Sequence, residues 1–113
     1  MEILKDVIKS LYDAKVEDIK IYDTAKITPF YDLVVNATAN NSRQLSATVQ
    51  KLRKLSEEKG YYLKGIEGLS GGYWALIDMR EVLVNIFLTE EREKYNLDKL
   101  WKDLPQINPE TYL

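Results

Sequence analysis

The sequence predicts an α/β (α+β) domain, a mixed β-sheet of about five strands packed with helices in the order α-β-β-α-β-β-β-α. Three observations carry this. Apolar residues recur at helical spacing in two separated segments, Ile3, Leu4, Val7, Ile8 and Leu11, then Leu45, Val49, Leu52 and Leu55. Short runs rich in Ile, Val and Leu lie between and after them. A helix that separates pairs of strands fits a sheet with both parallel and antiparallel neighbours.

The first helix ends near Asp13. EDIKIYD follows, with Ile19 and Ile21 on one side and Asp18, Lys20 and Tyr22 on the other, a half-exposed strand. Thr28-Pro29 opens a turn, and Leu33, Val34 and Val35 make a continuous apolar run suited to a strand covered on both faces. Asn41 and Ser42 are natural N-caps for the longest helix, which Gly60 terminates. YYLKGIEG reads as a short strand and GLSGG as a connector, before a strand pair and a C-terminal helix after Asn96. In that helix Leu97, Leu100, Trp101 and Leu104 form one apolar side. Residues 1–104 form a single domain, and residues 105–113, with Pro105 and Pro109, a short and poorly ordered tail. The expected core is Val7, Leu11, Ile21, Leu33, Val35, Leu45, Val49, Leu52, Ile77, Val84 and Ile86.

Composition removes whole classes of chemistry. The 113 residues contain no cysteine and no histidine. Disulfides, thiol catalysis and thiolate metal sites are therefore excluded, as is the commonest general base. No cofactor is expected. The first residues mix acids and bases at every turn, unlike a signal or transit peptide, and no segment approaches the ~20 apolar residues of a membrane span. A cytoplasmic address follows by default. The net charge of −2 is uneven: between Asn41 and Lys64 six basic residues face Glu57 and Glu58. Arg43, Lys51, Arg53 and Lys54 make the helix there a candidate face for nucleic-acid phosphate, against the plainer reading of a solvated outer surface.

The strand pair from Gly71 to Leu88 is the most informative stretch. With Arg80-Glu81 as its turn, Met79 pairs with Val82, Ile77 with Val84 and Ala75 with Ile86, an apolar face that should meet helices. The other face sets Trp74 opposite Phe87, Leu76 opposite Asn85 and Asp78 opposite Leu83. Burying an unpaired Asp78 costs several kcal/mol, so this face is either partly open or supplied with partners. One reading packs Trp74 and Phe87 under the C-terminal helix, with Asp78 reaching a backbone amide. The other makes an aromatic-centred contact patch, extended by Arg92 and Tyr95.

These residues resemble the ribosomal silencing factor family, also called Iojap. The similar features are GGYWALID, the VLVNIF strand and the REKYNLDKLW ending, with FYDLVVNATANNSRQ upstream. The resemblance runs to about Asp103. It implies a nucleotidyltransferase-like fold without a catalytic role, and a protein that binds the large ribosomal subunit. The contact there is ribosomal protein fourteen, on the face that meets the small subunit. Occupying that face blocks subunit joining and lowers translation when nutrients are scarce; homodimers also occur in the family. The chain departs from the family in carrying Asn85 where a histidine is usual, Arg80-Glu81 for a Gly-Asp turn, and Arg43-Gln44 for an Arg-His pair.

The contact residues expected on this basis are Trp74, Asp78, Asn85, Phe87, Arg92 and Tyr95, with Glu67 at the rim. Two other functions are weighed against it. A nucleotidyltransferase needs carboxylates converging on divalent metal, for which the candidates are Asp32 and Asp78 with Asp23. An RNA-binding module would use the basic helix, which lacks the interleaved aromatics of single-strand binders, so ribosomal RNA is expected only as a peripheral contact.

Overall fold

A computed structural model describes residues 1–113. Helix α1 (Glu2–Asp13) leads into strands β1 (Glu17–Asp23) and β2 (Leu33–Ala39). Helix α2 (Ser42–Lys59) follows, then β3 (Gly65–Glu67), β4 (Trp74–Met79) and β5 (Val82–Leu88). Two short helices, α3 (Thr89–Tyr95) and α4 (Leu97–Leu100), precede strand β6 (Gln106–Ile107) and a final 3-10 turn (Pro109–Tyr112). The strands form one mixed sheet in the order β3-β4-β5-β2-β1-β6. Only the central β2–β5 pair is parallel; every other neighbour is antiparallel.

The caps act as the sequence suggests. The Asn41 side chain accepts the Gln44 N–H at 2.8 Å, and Gly60 closes α2 at φ 70°. The expected core residues are all buried. They lie on one face of the sheet, where Ala75, Ile86 and Ala37 share one row and Ile77, Val84, Val35 and Ile21 the next. Helix α2 packs on β2, β4 and β5 from this side, with α1 alongside it. The Tyr61 hydroxyl donates to Asp6 on α1, and that bond, aided by burial, pushes its pKa up to about 12.

The hairpin register is the one that a turn at Arg80-Glu81 predicts, from Met79 opposite Val82 to Trp74 opposite Phe87. Its turn is unusual: Arg80 takes φ 69°, a region that costs a non-glycine residue about 1 kcal/mol. Local bonds hold it there. The Asp78 carboxylate accepts the Arg80 N–H at 2.9 Å, and the Arg80 guanidinium lies 4.0 Å over the Tyr62 ring.

Three expectations need correction. The sheet has six strands, because the tail supplies the sixth. Ile107 and Gln106 pair with Ile21 and Tyr22, and the final turn rests on α1. Pro105 contributes here too, its carbonyl accepting the Asp23 N–H at 2.9 Å. Secondly, strand β1 is not half-exposed throughout: Tyr22 is buried, its ring beside Trp101 at 5.8 Å. Thirdly, the C-terminal helix is two pieces. Asn96, at φ 46°, ends α3 and begins α4, and Leu100 of the expected apolar side is 72% exposed. Asparagine tolerates this left-handed conformation better than most residues, which is why the break falls there.

Deleting residues 105–113 strips Ile107 and Tyr112 from the edge of the core. The truncated chain is expected to lose about 2 kcal/mol, read as a lower urea midpoint with a still cooperative transition. An unchanged midpoint would show that the tail adds nothing.

Candidate functional site

The second face of the sheet carries the polar residues. Register places Trp74, Phe87 and Thr38 in one row, Leu76, Asn85 and Asn36 in the next, and Asp78, Leu83, Val34 and Tyr22 in the third. Helix α3 covers the β2–β5 part of this face. Asn36 and Asn85 are thus fully buried amides inside an otherwise apolar strand pair, and their hydrogen bonds must be met within the protein.

They are met by a chain of side chains. The Trp74 indole Nε1–H donates to Asn85 Oδ1 at 3.1 Å. Asn85 Nδ2 donates to Asn36 Oδ1 at 3.0 Å, and Asn36 Nδ2 donates to Asp98 Oδ1 at 3.2 Å. The Tyr22 hydroxyl donates to the same oxygen at 2.6 Å. Arg92, also buried, binds the carboxylate in a fork, Nε to Oδ2 at 2.9 Å and Nη2 to Oδ1 at 3.2 Å. Its Nη1 donates to Thr38 Oγ1 at 2.9 Å and to the Asp18 carbonyl at 2.6 Å. Asp18 sits at φ 49° where the β1–β2 register shifts, so a bulge presents that carbonyl to Arg92. No buried side-chain nitrogen or oxygen is left unpaired.

The electrostatics follow from these bonds. Burial alone would raise the Asp98 carboxyl, but hydrogen bonds from Arg92, Tyr22 and Asn36 and the Arg92 charge bring it below its ordinary value. Burial raises the Tyr22 phenol far above its ordinary value, and the hydrogen bond to Asp98 and that charge add to it.

On top of this buried layer stands an aromatic cluster. Trp74 is half-buried, stacked on Phe87 at 4.9 Å and 28°, with the Tyr95 ring tilted against it at 5.0 Å. Tyr95 is 49% exposed. Glu67, Gly68, Trp74 and Leu76 line a shallow notch of about 190 Å³ beside it. The loop leading to Trp74 is tightly constrained. Gly68 is at φ 81°, and a Cβ there would lie 2.1 Å from the Trp74 carbonyl oxygen. Ser42 Oγ, at the start of α2, donates to the Gly72 carbonyl at 2.8 Å.

The seven expected contact residues therefore divide. Trp74, Tyr95, Glu67 and Asp78 reach the surface, Trp74 and Asp78 in part. Asn85, Phe87 and Arg92 are buried and hold the others in place, so reading them as surface contacts is corrected. Sequence reasoning passed over Asn36 and Asp98. The available signal was that two asparagines in apolar strands and a buried-capable Arg92 all needed a shared partner.

The other candidates stay apart. Arg43, Lys51, Arg53 and Lys54 are exposed on the outer side of α2, across the sheet from Trp74, and Lys54 approaches Glu58 at 3.9 Å. Asp23 accepts the Ala25 N–H, Asp78 the Arg80 N–H, and Asp32 is exposed; no three acidic side chains gather to hold a metal ion. No helix is long and apolar enough to cross a membrane.

A mixed sheet with two long helices on one face, and short helices beside a braced aromatic patch on the other, has the form of a small binding domain. Residues 1–112 match the family described as "Ribosomal silencing factor during starvation", and the chain belongs to that family. It is similar to Ribosomal silencing factor RsfS of Halalkalibacterium halodurans, 32% identical over 109 residues, covering 96% of this chain and 93% of that protein. It is also similar to RsfS of Bacillus subtilis, 33% identical over 103 residues, with 91% and 87% covered. A solved Chromobacterium violaceum protein structure superposes with a TM-score of 0.86 at 34% identity, covering 89% of this chain and 84% of the other. The family is one of regulators and not of enzymes, which removes the nucleotidyltransferase reading.

Asp98→Asn tests the centre of the buried chain. It is expected to cost about 2 kcal/mol near neutral pH by weakening bonds to a partly buried carboxylate. Folding favours the ionised form, so this stabilisation is complete above about pH 4 and fades as pH falls through the lowered folded value. The stability difference between wild type and variant should narrow in that acid range. A difference that stays constant there would mean the charge of Asp98 contributes nothing.

Proposed function

We propose that this chain silences ribosomes by binding the large subunit at ribosomal protein fourteen, on the face that meets the small subunit, and so blocks subunit joining when nutrients are scarce. Family membership supports the ribosome as partner. The observation that carries the choice of surface is the braced Trp74–Tyr95 pair. A half-buried tryptophan braced beside an exposed tyrosine loses little rotamer freedom on docking, and such aromatics dominate interface energetics. Glu67 lines the notch beside Trp74 and supplies an acidic group suited to basic side chains on a ribosomal protein. Asp78 lies two rows further along β4 beside Lys64 and Arg80, at the far edge of the same face. Asn85, Phe87 and Arg92 act from beneath.

The mechanism asks only for occupancy. A domain of this size offers the roughly 800 Å² per partner of a standard interface. No bond is made or broken and no cofactor takes part. The exposed bases of α2, Arg43, Lys51, Arg53 and Lys54, support a peripheral contact with ribosomal RNA, weak and salt-sensitive beside the aromatic contact. A homodimer through the aromatic face competes with ribosome binding. Action in the cytoplasm follows from the partner.

Trp74→Ala should weaken co-sedimentation with large subunits by at least roughly fivefold, about 1 kcal/mol, while the variant stays folded. Wild-type protein added to separated subunits should slow their joining. Unchanged joining with saturating protein would overturn the silencing mechanism, and unchanged binding by folded Trp74→Ala would overturn the surface.

A further inference from the structure

We infer that Asp98, which lies outside the contact surface, is the positioning residue that sets the geometry of the Trp74–Tyr95 face. This rests on the contact reading given above. Direction within the hydrogen-bond chain is fixed at both ends. The Trp74 indole has only a donor, and the ionised Asp98 carboxylate has only acceptors. Both asparagine amides between them are therefore forced into one orientation, each carbonyl facing Trp74 and each NH2 facing Asp98. Reversing either amide would set two donors or two acceptors against each other at fully buried Asn36 and Asn85, where the cost of a mismatch is highest. The orientation of the Trp74 indole is thus dictated from three hydrogen bonds away by a carboxylate on a different element.

The same carboxylate governs the second ring. Arg92 is held by Asp98, by Thr38 of β2 and by the Asp18 carbonyl of β1. It lies one turn before Tyr95 on α3, so this grip fixes where the Tyr95 ring meets Trp74. Helix α3 needs such a grip. It has seven residues, no side-chain N-cap and an end forced by Asn96, far short of a helix that holds itself. Loss of Asp98 would free the indole N–H and loosen Tyr95 together.

Two measurements test this on the full chain. The first uses free protein: exchange of the Trp74 indole N–H, assigned by its loss in Trp74→Phe. Asp98→Asn should speed that exchange by roughly tenfold, while Ile77 and Val84 backbone amides keep their protection. The second is a cycle of large-subunit binding. Asp98→Asn should weaken binding roughly tenfold with Trp74 present but at most roughly threefold in the Trp74→Phe background, the remainder acting through Tyr95. Unchanged indole exchange, or equal losses in both backgrounds, overturns the positioning role. Should Asp98→Asn fail to fold, Asn36→Thr interrupts the chain by removing one donor to Asp98 while the Arg92–Asp98 fork stays in place, and gives the same two readings. If Trp74→Ala leaves subunit binding intact, the contact reading fails, and indole exchange in the free protein still decides what Asp98 does.

Discussion

Two asparagine amides buried in the central strand pair are the constraint on which this structure turns. Asn36 and Asn85 sit opposite each other in β2 and β5, the only parallel neighbours of the sheet. Leaving either unpaired would cost roughly 1–3 kcal/mol. Their mutual bond satisfies one donor and one acceptor, and the remainder must come from above the sheet. Asp98 supplies an acceptor on one side and Trp74 a donor on the other. Once Asp98 is inside, its charge needs Arg92, and Arg92 in turn needs Thr38 and the bulged Asp18 carbonyl. An ion pair of this kind adds little net stability over an apolar substitute. What it adds here is a single arrangement of the elements above the sheet.

The two faces of the sheet consequently have different tasks. The face under α1 and α2 is apolar and supplies the bulk of the hydrophobic free energy. The other face is polar at its centre and aromatic at its edge. Its covering helices are too short to be stable alone and owe their place to side-chain bonds. The proposed contact lies on that second face because it leaves large rings at the surface already oriented. A partner that docks there has little side-chain entropy to remove.

Much of this was legible in the sequence. Taking Arg80-Glu81 as the turn set the register, and it gathered Ala75, Ile77, Met79, Val82, Val84 and Ile86 on one wholly apolar face. Asn41 and Gly60 bounded α2 because their chemistry is local. The failures were long-range. Asn85 and Arg92 looked like surface contacts because polar residues beside Trp74 suggest a binding face, and their partners Asn36 and Asp18 lie 49 and 74 positions away. The break at Asn96 and the Arg80 turn both depend on positive φ at non-glycine residues, a conformation that asparagine tolerates but that arginine gives no sign of. The tail joined the sheet because β1 had an unpaired edge to offer, a consequence of topology that two prolines disguised.

The aromatic face, and not the basic outer side of α2, is the proposed ribosome contact. Hydrogen–deuterium exchange of the whole protein, free and bound to purified large subunits, tests this most directly. New protection is expected in residues 65–78 and in α3, with the exposed side of α2 around Lys51 and Lys54 nearly unchanged. Protection concentrated on α2, with residues 65–78 exchanging as in the free protein, would contradict it.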